Sequence, residues 1–342
     1  MSRGLIEFCE TARARIGAAR SILLASHVLP DADSVGSQAA LARHLSALGK
    51  DVSICNPTPV HEIYRFLVDL ADLRPAAWHV GHGVPPHDLA IVLDVNDWDY
   101  MGSLGEELRE SRAPRLLFDH HDGPARTADV ALVDPSASAT GEVLYRYFLA
   151  TGAEVDAHMA AALYASILFD TGGFRFRNTR DETVLIAAEL IRRGASHTRT
   201  AARLFENESF SRVELLTAAL SRVVSDTSGR LAWTYVTRDM FAQTGTSAVD
   251  ADGIIDQLMT IRGVELGVLF RELPDGVKVN FRSKGDRNAG TLAELLGGGG
   301  RPTAAGVSLT GELKEAVTTV LERIRREFQL DGERRSGERN HG

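Results

Sequence analysis

Three short apolar segments in the first half of the chain are each followed by side chains that can bind a metal ion. The segments are 21–25, 89–93 and 116–118. The side chains that follow them are His27, Asp31, Asp33, Asp94, Asp119, His120 and His121. In an open parallel sheet, ligands bind outside the carboxyl ends of the strands, where the loops are free of the core. The pattern therefore predicts a metal site at one edge of a sheet.

Asp170 is a further candidate ligand. It follows a predicted helix at 156–169, where the negative end of the helix dipole makes a carboxylate unfavourable unless a cation is close. Oxygen-rich ligands with two imidazoles and no thiolate suit Mn²⁺ or Mg²⁺ better than structural zinc. With four carboxylates, two divalent ions can share one bridging aspartate at a separation of about 3.5 to 4 Å.

Each candidate also has a structural explanation when it is taken alone. Asp31 and Asp33 suit a turn or a helix N-cap, and Asp94 suits a turn at a strand end. The pair His120 and His121 suits a solvent-exposed loop. Six candidate ligands at one predicted sheet edge favour the metal site over these separate explanations.

A second candidate site lies in the glycine-rich segment 297–300 and the Arg301 that follows it. The exposed backbone N–H groups of Gly299 and Gly300, together with a guanidinium, can surround a phosphate. A flexible linker is the alternative for four glycines. Here they lie between a predicted helix and a predicted strand inside one domain, which favours a tight functional loop.

Three more side chains are candidates for binding a substrate. Arg282 and Ser283 end a predicted strand, where a basic strand edge facing solvent is the alternative explanation. Arg175 follows the segment DTGGF, from which it can reach a substrate phosphate or pair with a neighbouring acid.

Apolar runs alternate with helical patterns in the first half of the chain. Strands are predicted at 21–25, 52–55, 89–93 and 116–118, and helices at 5–19, 35–48, 141–150, 156–169 and 181–193. This alternation predicts an α/β fold whose N-terminal sheet is mostly parallel, with helices on both faces.

The second half has a different pattern. Strands are predicted at 223–225, 231–237, 266–273 and 277–281, a long helix at 198–220 and another at 313–328. We therefore expect a catalytic metal-binding domain at 1–195, a helical linker at 196–222, a smaller α/β domain at 223–330 and a disordered tail at 331–342. The second domain is expected to grip the substrate across a cleft.

Composition excludes several classes of protein. The net charge is −8, and residues 1–190 hold 16 basic and 26 acidic residues against 22 and 20 in the remainder, so binding to duplex DNA is disfavoured. The chain has two cysteines, which suits a reducing cytoplasm and excludes a disulfide framework. Neither a signal peptide nor a membrane span is indicated, because the longest apolar stretch, 159–169, is too short to cross a bilayer.

Four ordered motifs resemble those of the DHH phosphoesterase superfamily. They are HVLPDAD at 27–33, LDVND at 93–97, DHH at 119–121 and DTGGF at 170–174. FRSKGD at 281–286 and GGGGRPTAAG at 297–306 resemble the DHH-associated C-terminal domain. Length and domain order most resemble the branch that hydrolyses short oligoribonucleotides and pAp, which is similar to the cyclic-dinucleotide phosphodiesterases.

The resemblance implies two Mn²⁺ ions, for which Mg²⁺ or Co²⁺ can substitute. It places one ion on His27, Asp31 and Asp94, and the second on Asp33, Asp94, His120 and Asp170, so that Asp94 bridges them. It implies that His121 faces the substrate phosphate and that Asp119 orients the histidines. The implied chemistry is two-metal hydrolysis, in which a bridging hydroxide attacks phosphorus.

One residue departs from the family pattern. The glycine-rich motif of the family usually has histidine where this chain has Arg301. An arginine still donates hydrogen bonds to phosphate, but it cannot act as a proton donor near neutral pH.

We therefore expect a metal-dependent phosphoesterase whose substrate is a short single-stranded oligoribonucleotide, a linear or cyclic dinucleotide, or pAp. A Mn²⁺-dependent pyrophosphatase or exopolyphosphatase is the alternative, since it shares the motifs of the first domain. A catalytically silent nucleotide-binding regulatory module is disfavoured by the intact ligand set. A RecJ-like exonuclease is disfavoured because no additional nucleic-acid-binding domain fits in 342 residues. The sequence is compatible with a homodimer.

Overall fold

The computed structural model describes residues 3–73, 77–81, 83–328 and 333–335. The chain divides between Asn207 and Glu208 into two compact units. Among the described residues, no helix is both long and apolar enough to cross a membrane.

The first unit is built on a parallel sheet. Its elements are α1 (Arg3–Ala18), β1 (Ser21–Ala25), α2 (Ala32–Ala47), β2 (Asp51–Asn56), α3 (Arg65–Leu70), β3 (Trp78–Val80), β4 (Leu89–Leu93), α4 (Gly102–Glu110), β5 (Arg115–Asp119), β6 (Val130–Val133), α5 (Thr140–Thr151), α6 (Ala157–Asp170), α7 (Asp181–Arg192) and α8 (His197–Phe205). Within the described residues the sheet has six strands in the order β3-β2-β1-β4-β5-β6, and every neighbouring pair is parallel. The strand order reverses direction beside β1 and β4, which is where open parallel sheets bind ligands.

Helices cover both faces of this sheet. Ile22 and Leu24 of β1 pack into a core shared with α1, α2, α5 and α6, whereas Leu23 and Ala25 pack on the opposite face with Leu104 of α4. Because alternate residues of one strand are buried on opposite faces, the strands read as continuous apolar runs. The predicted α/β architecture is confirmed.

The second unit contains a mixed sheet. Its elements are α9 (Phe210–Leu220), β7 (Val224–Asp226), β8 (Leu231–Val236), α10 (Arg238–Thr244), α11 (Ile254–Thr260), β9 (Leu266–Leu273), β10 (Gly276–Ser283), α12 (Ala289–Glu294), β11 (Gly299–Arg301), β12 (Ala304–Leu309), α13 (Leu313–Phe328) and β13 (Glu333–Arg335). The described strands lie in the order β11-β12-β10-β9-β8-β7-β13. The pair β8 and β9 is parallel, and the other neighbouring pairs are antiparallel.

The two faces of the mixed sheet pack against different helices. Val277, Val279 and Phe281 of β10 pack with α12 and α13. On the other face, Leu269 of β9 packs with residues of α9, α10 and α11. The alternate residues of β10, which begin with Lys278, therefore lie on the face opposite α13.

Three local predictions differ from the structure. The helix predicted at 198–220 is two helices, because Ser209 caps a new helix by accepting a hydrogen bond from Arg212 N at 3.2 Å. Part of the glycine-rich segment is the edge strand β11, since it pairs with β12. The predicted tail lies outside the described residues apart from 333–335, whose backbone pairs with β7.

Candidate metal centre

The loop after β1 carries His27 and Asp31. Asp31 is the N-cap of α2, and its Oδ1 accepts hydrogen bonds from the backbone N–H groups of Asp33 and Ser34 at 3.0 and 3.1 Å. This capping fixes the first turn of α2, in which Asp33 is 1% exposed. The sequence therefore places Asp31 and Asp33 at the carboxyl edge of the sheet through an ordinary helix start.

Asp94 follows β4 in an unusual backbone conformation. Its φ is +63°, in the left-handed region that side chains other than glycine rarely adopt. Its N–H still donates to Phe118 O at 3.0 Å, so the chain turns only after the last sheet hydrogen bond. Strain of this kind persists where the surroundings hold it and is concentrated at functional sites. Here it places a carboxylate that is 4% exposed between the ends of β1 and β5.

The DHH segment is organised by Asp119, the last residue of β5. Its Oδ1 accepts hydrogen bonds from the backbone N–H groups of His120 and His121 at 2.8 and 3.2 Å and lies 2.6 Å from His121 Nδ1. His120 Nδ1 lies 3.2 Å from Ala137 O. A carbonyl oxygen can only accept, so Nδ1 carries the proton and Nε2 of His120 is left as a ligand atom.

The structure brings the six predicted ligands together in two groups. In the first group, His27 Nε2 lies 3.4 Å from Asp94 Oδ2 and 4.0 Å from Asp31 Oδ1. In the second, His120 Nε2 lies 3.7 Å from Asp33 Oδ2, 3.7 Å from Asp94 Oδ1 and 3.4 Å from Asp170 Oδ2. Each oxygen of Asp94 thus faces a different histidine. The acids and histidines at this edge form clusters that can hold a metal ion.

His121 also lies close to Asp94. Its Nδ1 is 3.6 Å from Asp94 Oδ1, so its position alone would allow it to belong to a ligand cluster with Asp94 and His120. The much shorter contact of the same nitrogen with Asp119 commits Nδ1 to that carboxylate. The remaining nitrogen, Nε2, is the one available to another partner.

The electrostatics of the cluster favour a bound cation. Burial raises the pKa of Asp94 well above its usual value, and the neighbouring charge of Asp33 raises it further. Burial opposes protonation of His27, yet a hydrogen bond with Asp94 and the charge of Asp31 raise the pKa of His27 to about 10. Among the described residues, Asp33 and Asp94 form ion pairs only with histidines.

The donor set fits a divalent metal. The contacts of His120 Nε2, from 3.4 to 3.7 Å, are longer than ordinary hydrogen bonds, and they suit ligand atoms that each lie about 2 Å from a shared ion. Asp33 and Asp94 are both buried, and a divalent ion close to these two carboxylates would offset the cost of burying their charges together.

Sequence reasoning missed the residues that hold these carboxylates. The N–H groups of Thr140 and Gly141, at the start of α5, donate to Asp33 Oδ2 and Oδ1 at 2.8 and 3.2 Å. Ser166 Oγ donates to Asp33 Oδ1 at 2.6 Å, and Thr140 Oγ1 donates to Asp94 Oδ1 at 3.0 Å. The one available signal was the run of small residues SASATG before a predicted helix, which suits a helix N-terminus close to another chain segment.

The predicted substrate-binding residues have varied surroundings. Arg175 lies in the first unit, where its Nε donates to Gly172 O at 2.6 Å. In the second unit, Ser283 is 7% exposed and its Oγ lies 2.8 and 2.7 Å from the carbonyl oxygens of Arg287 and Pro302. Arg282 Nε lies 3.5 Å from Asp256 Oδ1.

The glycine-rich motif forms an edge of the second sheet. Gly299, Gly300 and Arg301 are exposed in β11. Gly300 has φ +144°, and a Cβ there would lie 2.5 Å from Ala305 Cα, so only glycine fits this close strand pairing.

Comparison with known proteins identifies both parts of the chain. Residues 21–167 match the family model described as DHH family, N-terminal domain, and residues 229–329 match that of the DHHA1 domain. The chain is 32% identical over 313 residues to the bifunctional oligoribonuclease and PAP phosphatase NrnA of Thermus thermophilus, covering 91% of each chain. It is 30% identical over 292 residues to the NrnA of Bacillus subtilis, covering 84% of this chain and 89% of that protein.

Solved structures share the fold. The exopolyphosphatase-related protein from Bacteroides fragilis superimposes with a TM-score of 0.83 at 22% identity, covering 94% of this chain and 98% of that one. RecJ of Thermus thermophilus, solved with Mn²⁺, gives a TM-score of 0.54 at 13% identity and covers 97% of this chain and 56% of its own. At these identities the likeness concerns the fold alone.

The family match and the two NrnA relatives indicate a phosphoesterase of the α/β class, a hydrolase that acts on phosphoester bonds. The chain belongs to the DHH family, with an N-terminal DHH domain and a C-terminal DHHA1 domain.

Proposed function

We propose that this chain hydrolyses short single-stranded oligoribonucleotides and pAp with two Mn²⁺ ions. The observation that carries the proposal is the position of Asp94 between His27 and His120, each of which also lies close to other carboxylates at the same sheet edge. The similarity to two proteins named as oligoribonuclease and PAP phosphatase, over most of their length, supports the substrate class.

The two ions have separate ligands apart from Asp94. His27, Asp31 and Asp94 would hold one ion, and Asp33, Asp94, His120 and Asp170 the other. When bound, the ions would supply Lewis-acid stabilisation of the charge on the phosphoryl oxygens and lower the pKa of an attacking water.

The side chains around the ligands have positioning roles. Asp119 accepts a hydrogen bond from Nδ1 of His121, so that His121 would present Nε2 to the phosphate. In the imidazolium form of His121, Nε2 would also carry a proton and would donate a hydrogen bond to a phosphoryl oxygen. Thr140 and Ser166 hold Asp94 and Asp33 in the orientations that the ligand groups need. This arrangement is set before the substrate binds, which reduces the reorganisation that catalysis requires.

The second unit binds the nucleotide in this proposal. Arg282 and Arg301 supply guanidinium groups for a phosphate. Because Gly299 and Gly300 have no side chains, the phosphate can come close to their backbone. Arg175 follows Asp170 by five residues in the sequence and would supply a further guanidinium for a substrate phosphate. Ser283 would act through its hydroxyl, which contacts the carbonyl oxygens of Arg287 and Pro302 on either side of the segment that holds α12 and β11.

The cytoplasm is the compartment that suits these features. Cys9 and Cys55 are both free thiols in the structure, and both are compatible with a reducing environment.

A substrate panel with Mn²⁺ tests this function. We expect hydrolysis of pAp, diadenylate and a five-nucleotide RNA at rates well above those for pyrophosphate, with cyclic di-AMP included to test the related dinucleotide activity. Asp94→Asn serves as the metal-site control, because it keeps the volume of the side chain and removes its charge. Rapid hydrolysis of pyrophosphate without cleavage of any nucleotide would replace this function by a pyrophosphatase activity.

A further inference from the structure

The face of the second sheet opposite α13 carries a row of basic and amide side chains. Cross-strand partners share a face of a sheet. The pairing of Arg282 with Ala304, and of Ala304 with Arg301, therefore places both arginines in one row. The next row along the strands pairs Asn280 with Gly306 and Gly306 with Gly299.

The side chain of Lys278 lies close to Gly306, in the row of Asn280, Gly306 and Gly299 (the glycine row). A Cβ built on Gly306 would lie 3.6 Å from Lys278 Cε and 3.6 Å from Asn280 Nδ2. The lysine stem and the asparagine amide therefore lie over the same glycine. Neither Gly306 nor Gly299 has a side chain. The surface beside Asn280 in this row is therefore formed by the backbone of these two glycines.

The orientation of the Asn280 amide is fixed by Arg271. Arg271 NH2 donates to Asn280 Oδ1 at 2.9 Å, so the oxygen faces Arg271 and Nδ2 faces Gly306. Arg271 is itself held by Ala248 O at 2.9 Å and by Asp252 Oδ1 at 3.0 Å. The amide thus presents two N–H donors to the glycine row in a defined direction.

The acids on this face pair with the arginines rather than with Lys278. Asp252 pairs with Arg271 and Asp256 with Arg282, whereas no ion pair or hydrogen bond of the Lys278 side chain is found among the described residues. Burial lowers the pKa of Lys278, and the positive charge of Arg271 lowers it further. A half-buried ammonium beside another cation is stabilised by an anion.

We propose that Lys278 and Asn280 form a second phosphate site, one row from Arg282 and Arg301. The site rests on the proposed function, because its ligand is a second phosphate of the same nucleotide chain. Asn280 and Arg282 are two residues apart on one strand, about 7 Å. This separation is similar to the distance between consecutive phosphates of an extended oligonucleotide. The second unit would therefore bind two adjacent phosphates of a short oligoribonucleotide.

The test uses probes that differ by one phosphate. The probes are 2′-O-methyl, phosphorothioate-linked di- and triadenylate, which carry one and two negative charges and resist hydrolysis. Binding to the Mn²⁺-loaded full chain is measured by isothermal titration calorimetry at several salt concentrations. The variants are Lys278→Ala and Asn280→Asp; the second keeps the oxygen that accepts from Arg271 and replaces the N–H donors. Lys314→Ala, an exposed lysine on α13, is the matched control.

We expect wild type to bind the trinucleotide more tightly than the dinucleotide. Lys278→Ala should weaken trinucleotide binding about tenfold, the loss typical of one charge-assisted hydrogen bond, and dinucleotide binding less than about twofold. The slope of log affinity against log salt for the trinucleotide should become shallower by about 0.7. Asn280→Asp should act in the same direction, while Lys314→Ala should match wild type for both probes.

The outcomes separate this proposal from the function on which it rests. Equal losses for the two probes, unchanged binding of both, or no binding to wild type would each overturn the second phosphate site. If trinucleotide binding depends on Lys278 but no nucleotide of the substrate panel is cleaved, the proposed function fails and the site stands. If the panel is cleaved but Lys278→Ala binds as wild type, the function stands and the site fails. Thermal unfolding of each variant verifies that it is folded.

Discussion

The backbone N–H of Thr140 donates a hydrogen bond to Asp33 Oδ2 at 2.8 Å, although the two residues are separated by 107 positions. The positive end of the α5 dipole thereby points at a carboxylate of the candidate metal centre. The hydroxyl of the same threonine holds Asp94 at 3.0 Å. One residue thus orients carboxylates from two different strand ends.

Thr140→Val should weaken metal binding while leaving the fold intact. Valine keeps the volume and the backbone N–H but removes the hydroxyl that orients Asp94, and loss of such a supporting contact typically costs about tenfold or more in metal affinity. The Mn²⁺ concentration that gives half-maximal activity should rise accordingly. Thr234→Val is the matched control, because Thr234 is a fully buried threonine whose hydroxyl donates to Ala219 O in the second unit. Equal Mn²⁺ dependence of Thr140→Val and wild type would show that this hydroxyl does not support the site.

Asp94→Asn should remove catalysis without unfolding the protein. Because Asp94 is common to both ligand groups, its charge supports both ions, and we expect a loss of about a hundredfold or more in kcat. In metal-free wild type, the buried negative charge of Asp94 is repelled by the charge of Asp33, and the variant lacks this repulsion. We therefore expect the metal-free variant to unfold at a temperature no lower than that of metal-free wild type. Circular dichroism melting in EDTA and kcat with saturating Mn²⁺ measure the two effects. Near-normal kcat in this variant would refute the shared-ligand arrangement.

Glu142 is expected to stabilise the segment that leads into α5. It is fully buried and accepts hydrogen bonds from Ser138 Oγ at 2.6 Å and Thr183 Oγ1 at 2.9 Å, and it pairs with Arg146. Glu142→Gln removes a negative charge that pairs with the guanidinium of Arg146. This loss should lower the unfolding free energy by about 3 kcal/mol.

Chemical denaturation followed by tryptophan fluorescence measures the cost of Glu142→Gln. The control is Glu189→Gln, which alters solvent-accessible pairs with Arg192 and Arg193 and should change the unfolding free energy far less. Similar small effects for both variants would mean that the Glu142 network contributes little to stability.

Arg301 tests the phosphate contact in the second unit. Arg301→Ala should lower kcat/KM for pAp and short RNA by about ten to a hundredfold, the loss expected for a hydrogen bond to a charged group. Mn²⁺ affinity should not change, since the ligand groups lie in the first unit. Arg301→His should retain activity and introduce a pH dependence near the imidazole pKa of about 6.5. If kcat/KM of Arg301→Ala is unchanged on every substrate, Arg301 does not bind the phosphate, and Arg282 becomes the candidate for that contact.

The strand ends of the metal centre were accessible from the sequence because their signal is local. A short apolar run followed by aspartate or histidine marks a buried strand and the loop after it. Asp31 also shows that structural and functional explanations are compatible, since it caps α2 and lies in a ligand group with His27. The structure therefore brings the side chains that the sequence singled out to one sheet edge, and their role as metal ligands stays a prediction.

The remaining features depend on tertiary contacts. Thr140 and Ser166 contact Asp94 and Asp33, which are distant from them in the sequence. The left-handed backbone of Asp94 likewise has no local signal in the sequence. The short strands β3, β6 and β11 were also missed, because each is held mainly by pairing with a neighbour. In β11 two of the three residues are glycine, which disfavours a strand on propensity alone.

An anomalous difference map of crystals grown with Mn²⁺ would locate the two proposed ions. Data collected near the manganese absorption edge should show two peaks, about 3.5 to 4 Å apart, with Asp94 in contact with both. One peak should contact His27 and Asp31, and the other Asp33, His120 and Asp170. A map with a single peak, or with peaks that do not contact Asp94, would rule out two ions bridged by Asp94.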